Sequence, residues 1–162
     1  MDFDFFENCT AEKARLINPV VLAYVGDGVQ TLFVRKKLAL LHDLKSSELN
    51  KMEAKSVCAS AQARAARKLT AVFTEEELAI FKRARNSKKG SKAKNSTLGD
   101  YSKSTGLEAV IGFLYLSGQK ERLKQILSLA EEFAAEKSGT SDENIIETAE
   151  NQVAVKENSN DC

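Results

Sequence analysis

The chain contains no tryptophan, one proline, one histidine and three cysteines in 162 residues. With proline this scarce, and no β-branched runs bounded by turn residues, strands have little support and the expected class is all-α. The single histidine, His42, lies near an expected helix end, where a surface residue is the ordinary reading. No serine or cysteine pattern beside it supports a nucleophilic triad. Cys9, Cys58 and Cys162 are odd in number, scattered and without CxxC spacing. That argues against a disulfide framework or a zinc site and for a reducing, cytoplasmic setting. The opening MDFDFFEN is acidic where a secretory leader would be basic, so no signal peptide is expected. One apolar stretch, Leu16 to Val34, has about the length of a membrane span. Asn18, Pro19, Asp27 and Gln30 interrupt it, and a buried helix with no membrane role is expected instead.

What is present is charge, at 29% of residues, and it is unevenly placed. From Ser138 onward six acids (Asp142, Glu143, Glu147, Glu150, Glu157 and Asp161) face one base, Lys156. The net charge of +1 therefore conceals a basic body of about +6 over residues 1–137. A basic body is consistent with a polyanionic partner. The organisation expected is one domain over 1–137, long enough for its own core, and an acidic, disordered tail over 138–162.

Local signals place the helices. A short one is expected from Thr10 to Ile17. Asn18 as N-cap with Pro19 at the first helical position opens a long helix to about Leu41. A helix or helix pair follows from Ser47 to about Leu69. Thr74 and Glu77 form a capping box for a helix through about Arg85. An apolar helix from about Tyr101 ends before Gly118. The last, Lys120 to about Lys137, carries Leu123, Ile126, Leu127 and Ala130 on one face.

Two carboxylates stand out. Asp27 is the only charged residue between Leu16 and Val34, and Glu108 the only one between Ser104 and Gln119. Burying an unpaired carboxylate costs several kcal/mol, so a compensating partner or a cation is expected. On the Asp27 helix, Val21, Val25, Val29 and Leu32 read as the core face. Gly26 and Gly28 flank Asp27, each costing about 1 kcal/mol in a helix interior, and close approach of another backbone is the usual reason. Tight packing with Asp27 bonded to a neighbouring helix end is one reading. A buried Glu108 bonded to the hydroxyls of Ser104 and Thr105 is its counterpart. Two acids on facing helices admit another: Mg²⁺ tolerates one or two carboxylates and keeps several waters.

The run KRARNSKKGSKAK, Lys82 to Lys94, holds seven basic residues in thirteen and no acid. Arg83 and Arg85 end a helix, while Lys88, Lys89, Lys92 and Lys94 lie in a loop able to follow a phosphate backbone. A solvated loop is the plain alternative. Few aromatics are nearby, which favours backbone contact with a duplex over base stacking. Lys55, Arg64, Arg67 and Lys68 spread around the Ala-rich stretch and read as a solvated face.

The segments NPVVLAYVGDGV and, some eighty residues later, STGLEAVIGFLYLS resemble the catalytic domain of ribonuclease III, whose motifs take the forms ERLEFLGDAV and ADALEAVIGAIYLD. SELNKMEAKSVCASAQA and FKRARNSKKGSKAKN extend the likeness over roughly residues 15–130. The mini-ribonuclease III branch, which lacks a double-stranded RNA-binding domain, is the nearer match. The resemblance implies an all-α ribonuclease III-type helical bundle, homodimeric and divalent-metal-dependent, using Mg²⁺ or Mn²⁺. It implies an endoribonuclease that cuts double-stranded RNA to 5′-phosphates and 3′-hydroxyls, in maturation of large-subunit (23S) ribosomal RNA precursor. By position, Asp27 and Glu108 match catalytic, metal-binding acids, and Glu48 matches an acid of the middle motif. Arg83, Arg85, Lys88, Lys89, Lys92 and Lys94 are then the expected RNA contacts. The chain departs from the full-length family at Val20, Ala23 and Thr105, where that family has acids. A non-catalytic RNA-binding or ribosome-associated module is the alternative from a different class.

Overall fold

A computed structural model describes residues 7–87 and 98–136. Every element among them is helical: α1 (Ala11–Leu16), α2 (Pro19–Leu41), α3 (Ser46–Ser56), α4 (Ala59–Leu69), α5 (Glu75–Arg85), α6 (Leu98–Leu116) and α7 (Lys120–Ala135). No helix among the described residues is long and apolar enough to cross a membrane. Lys88, Lys89, Lys92, Lys94 and the tail from Ser138 lie outside the described residues.

The boundaries follow local chemistry. Asn18 Oδ1 accepts the Val20 amide at 2.9 Å, and Pro19 fills the first position of α2, where its missing N–H is no loss. The Thr74–Glu77 capping box is complete: Thr74 N donates to Glu77 Oε2 at 2.9 Å and Glu77 N to Thr74 Oγ1 at 3.2 Å. Gly118, at φ 70°, closes α6 with the Gln119 amide on the Leu114 carbonyl and the Gly118 amide on that of Tyr115. This is a Schellman turn, which requires a left-handed residue at that point.

α6 is the axis of the bundle. Largely apolar in its second half, it buries Leu107, Ala109, Val110, Ile111, Phe113 and Leu114 against α2, α4, α5 and α7. α2 is nearly as apolar but lies on the outside. Its buried residues are Leu22, Ala23, Gly26, Gln30 and Val34. The expected core face is therefore corrected: Val21 and Leu32 are 50% and 63% exposed, and Val25 and Val29 are half-buried. α7 packs as its pattern predicts, with Ile126, Leu127 and Ala130 buried.

Candidate active site at the α2–α6 crossing

The site begins with two glycines. A Cβ built on Gly26 would lie 2.7 Å from the Glu108 carbonyl carbon and 2.8 Å from the Gly112 amide nitrogen. One on Gly112 would lie 2.9 Å from the Leu22 carbonyl carbon and 3.0 Å from the Gly26 nitrogen. The backbones of α2 and α6 touch where they cross, which only paired glycines permit. Gly26 precedes Asp27, and across the contact it meets the Glu108 backbone carbonyl, so the crossing brings together the backbone segments that carry the two singled-out acids.

The close-approach explanation fails for the second flanking glycine. A Cβ on Gly28 meets nothing within 4 Å.

The Asp27 side chain is exposed and makes no hydrogen bond or ion pair with another described residue. The expectation of a buried carboxylate is thereby corrected: the apolar residues around Asp27 in sequence point elsewhere. Glu108 is half-buried. The Ser104 and Thr105 hydroxyls turn back along α6, donating to the Tyr101 carbonyl at 2.9 and 3.0 Å. Ala23 and Thr105, where the family has further acids, are 4% and 6% exposed. No group of three or more His, Cys, Asp or Glu able to hold a metal occurs among the described residues. The crossing helices carry two carboxylates, those of Asp27 and Glu108, the first of them open to water. That suits a hydrated Mg²⁺ or Mn²⁺, which takes few protein ligands, and does not suit Zn²⁺ held by nitrogen and sulfur.

Buried polar contacts hold α2 in place. Gln62 of α4 donates its amide to Gln30 at 2.9 Å, one turn beyond Asp27, with both side chains buried. Arg35 Nε reaches the buried Glu53 of α3 at 2.8 Å. Sequence reasoning missed both partnerships; a glutamine inside an apolar helix was the available signal for the first. Glu48 is exposed in the first turn of α3.

The basic residues divide. Arg83 caps the end of α1, with Nη1 on the Arg15 carbonyl at 2.8 Å and Nη2 on that of Ile17 at 3.3 Å. Arg85 is exposed, with Nε on Asn86 Oδ1 at 3.2 Å. Of the residues expected to form a solvated face, Lys55, Arg67 and Lys68 are exposed and Arg64 is half-buried. Arg64 Nη2 donates to the Ala134 carbonyl at 3.0 Å, Arg67 pairs with Asp100, and Lys68 pairs with Glu136 beside the Phe133 ring. Lys55 sits on α3 and is exposed; His42 is the exposed C-cap of α2. An open cleft lined by Arg15, Glu76, Arg83, Phe113 and Arg122 includes neither Asp27 nor Glu108. Among its charges, Arg15 pairs with Glu76 and Arg122 with Glu77.

Comparison with known proteins gives the class of this all-helical bundle. The ribonuclease III domain model matches residues 20–119. The chain belongs to the ribonuclease III family, a family of endoribonucleases. Within it, mini-ribonuclease 3 of Staphylococcus aureus is 44% identical over 124 residues, covering 75% of this chain and 92% of the relative. Mini-ribonuclease 3 of Clostridium tetani is 38% identical over 139 residues, covering 85% and 92%. A crystal structure of a Fusobacterium nucleatum protein superposes with a TM-score of 0.65 at 32% identity, covering 71% of this chain and 92% of that one.

Proposed function

We propose that the chain is a divalent-metal-dependent endonuclease of double-stranded RNA in which Asp27 and Glu108 are the catalytic, metal-binding acids. The observation that carries this reading is the glycine-paired crossing, which sets the backbone next to Asp27 against that of Glu108. A divalent cation held there supplies positive charge at the phosphodiester while water attacks. Rigid helices position Asp27 and Glu108 for that task. Hydrolysis then leaves a 5′-phosphate and a 3′-hydroxyl. Arg85 and the lysines at 88, 89, 92 and 94 contact the duplex backbone, while Arg83 shapes the surface they stand on. The substrate is the large-subunit ribosomal RNA precursor in the cytoplasm.

The active unit is a homodimer formed through the outer face of α2. Val20, Val21, Tyr24 and Leu32 are exposed there, with Tyr24 at 81%. A contiguous apolar face of this kind marks an interaction site. Pairing two copies provides two acid sites, one for each strand of a duplex.

The test compares the parent chain with Asp27→Asn and Glu108→Gln on duplex RNA with Mg²⁺. Both variants keep the helical circular dichroism and lose cleavage by at least about 100-fold, the scale of losing a group that stabilises transition-state charge. Cleavage at the parent rate by both removes the assignment. The loss of acids at Ala23 and Thr105 favours a second reading, a non-catalytic RNA-binding module. That reading prevails if duplex binds while neither Mg²⁺ nor Mn²⁺ supports cutting by the parent.

A further inference from the structure

Residues at four-residue spacing, Leu22, Gly26, Gln30 and Val34, form the buried seam of α2, with Ala23 beside them. Gln30 is the only polar side chain in that seam. α4 has the same pattern: it buries Ala61, Gln62, Ala63, Ala65, Ala66 and Leu69, and Gln62 is the one polar member. The two amides meet, Gln62 Nε2 donating to Gln30 Oε1 at 2.9 Å. A buried amide left without a partner is costly, so the bond favours one placement of α2 against α4 and penalises nearby ones.

We propose that Gln30 and Gln62 are positioning residues for the acid site. Their amide pair fixes the turn of α2 about its own axis, and with it the place of Asp27 relative to Glu108. The inference rests on the reading of Asp27 and Glu108 as the catalytic acids. Three observations carry it. First, the apolar surface of α2 selects no face, since Val20, Val21, Tyr24 and Leu32 stand exposed on the other side of the helix from the seam. Second, the Gly26–Gly112 contact sets where α2 touches α6, but glycine has no side chain to lock into a neighbour. Third, two other side-chain bonds of α2, Arg35 with Glu53 and Lys37 with Glu131, run through cationic arms that are 61% and 47% exposed and can follow a rotation. Gln30 is buried and stands three residues from Asp27, within one helical turn. A carboxylate about 5–6 Å from the helix axis moves by about 2 Å when the helix turns by about 20°. Misplacement by about 1 Å at a reacting site can cost about 100-fold in rate.

The experiment replaces both amides with unbranched apolar side chains, Gln30→Met and Gln62→Met. The parent, the single variant Gln62→Met, the double variant and Asp27→Asn are compared by urea unfolding, by the rise of the urea midpoint with Mg²⁺, and by cleavage of duplex RNA. Gln62→Met leaves the Gln30 amide buried without its partner and lowers the urea midpoint. The double variant recovers the parent midpoint, because both members of the pair are gone. It nevertheless cuts about 100-fold more slowly in kcat, with KM within about twofold of the parent. It also needs about tenfold more Mg²⁺ for the same rise in midpoint, the scale of disturbing the support of a metal site. Parent-rate cutting by the double variant, with Asp27→Asn inactive, overturns this inference alone. Slowing of the double variant in step with a lowered urea midpoint overturns it in favour of a merely structural bond. Parent-rate cutting by Asp27→Asn overturns the acid assignment and this inference together.

Discussion

Gly26 and Gly28 are two residues apart in one helix, yet alanine substitution should move stability in opposite directions. Helix propensity favours alanine by about 1 kcal/mol at either position. At Gly28 nothing opposes that gain, since a Cβ meets no atom within 4 Å. Gly28→Ala should therefore stabilise the chain by about 1 kcal/mol, a rise in Tm of about 3 °C for a domain of this size. At Gly26 the added carbon would sit 2.7 Å from the Glu108 carbonyl carbon and 2.8 Å from the Gly112 nitrogen. These are backbone atoms of the buried axis and cannot rotate aside. α2 and α6 must part, and overpacking of this sort costs about 1–3 kcal/mol or more. Gly26→Ala should lose about 2 kcal/mol net, leaving the two variants about 3 kcal/mol apart.

Urea unfolding by circular dichroism at several dilutions reads both variants. Dilution matters because Gly28 lies on the α2 face assigned to the second copy. Gly26→Ala should also cut RNA more slowly, since parting the helices moves Asp27 relative to Glu108. Parent-like stability of Gly26→Ala would refute the backbone contact. Destabilisation by Gly28→Ala at every dilution would refute the reading of open space.

Three shorter predictions follow from individual contacts. Burial alone would push the Glu77 carboxyl up, but the hydrogen bonds and charge of Arg122, with those from Thr74, hold it below its usual value. A lowered folded pKa gives stability that is present above the unfolded value and lost as pH falls through the folded one. Glu77→Gln should be less stable at pH 7 and lose less stability below about pH 4, checked by urea titrations across that range. Arg83→Ala should lower stability by about 1 kcal/mol through lost capping of α1 and leave the salt slope of RNA binding unchanged, whereas Arg85→Ala should flatten that slope. Tyr24→Asp should shift the proposed dimer to monomer in sedimentation without loss of helix; persistence of a dimer would place the interface elsewhere.

Local chemistry made the helices legible. Asn18–Pro19, Thr74–Glu77 and Gly118 each mark a boundary through neighbours within a few residues, and the structure keeps all three. The orientation of α2 was not legible, for a physical reason. A helix apolar all round has no preferred face in its periodicity, so Val21 and Leu32 read as core as readily as Leu22 and Val34. Its orientation is set by Gly26 meeting Gly112, partners far apart in sequence. The same holds for the arginines. Arg64, Arg83 and Arg122 look alike in composition, but each holds the end or turn of a distant element: the Ala134 carbonyl, the end of α1, and the Val72 carbonyl. In the candidate site, the two acids were visible as charges in apolar surroundings, but the exposure of Asp27 was not.

That exposure changes what the acids ask of the fold. A buried pair would need a cation for the chain to fold at all, because uncompensated charge in a low dielectric is costly. A water-facing Asp27 repels its neighbour only weakly; two unit charges 4 Å apart interact by about 1 kcal/mol in bulk water. The helices should therefore assemble with no metal present, and the ion should join a finished site. Treatment with a chelator should leave helical circular dichroism intact and Tm unchanged. Adding Mg²⁺ should raise Tm only by mass action, through a stabilisation of about 2.7 kcal/mol at 100 times its Kd. Asp27→Asn should abolish that rise while keeping the chelated chain as stable as the parent. Loss of helix on chelation would mean that the carboxylates are buried after all and that the metal is part of the fold.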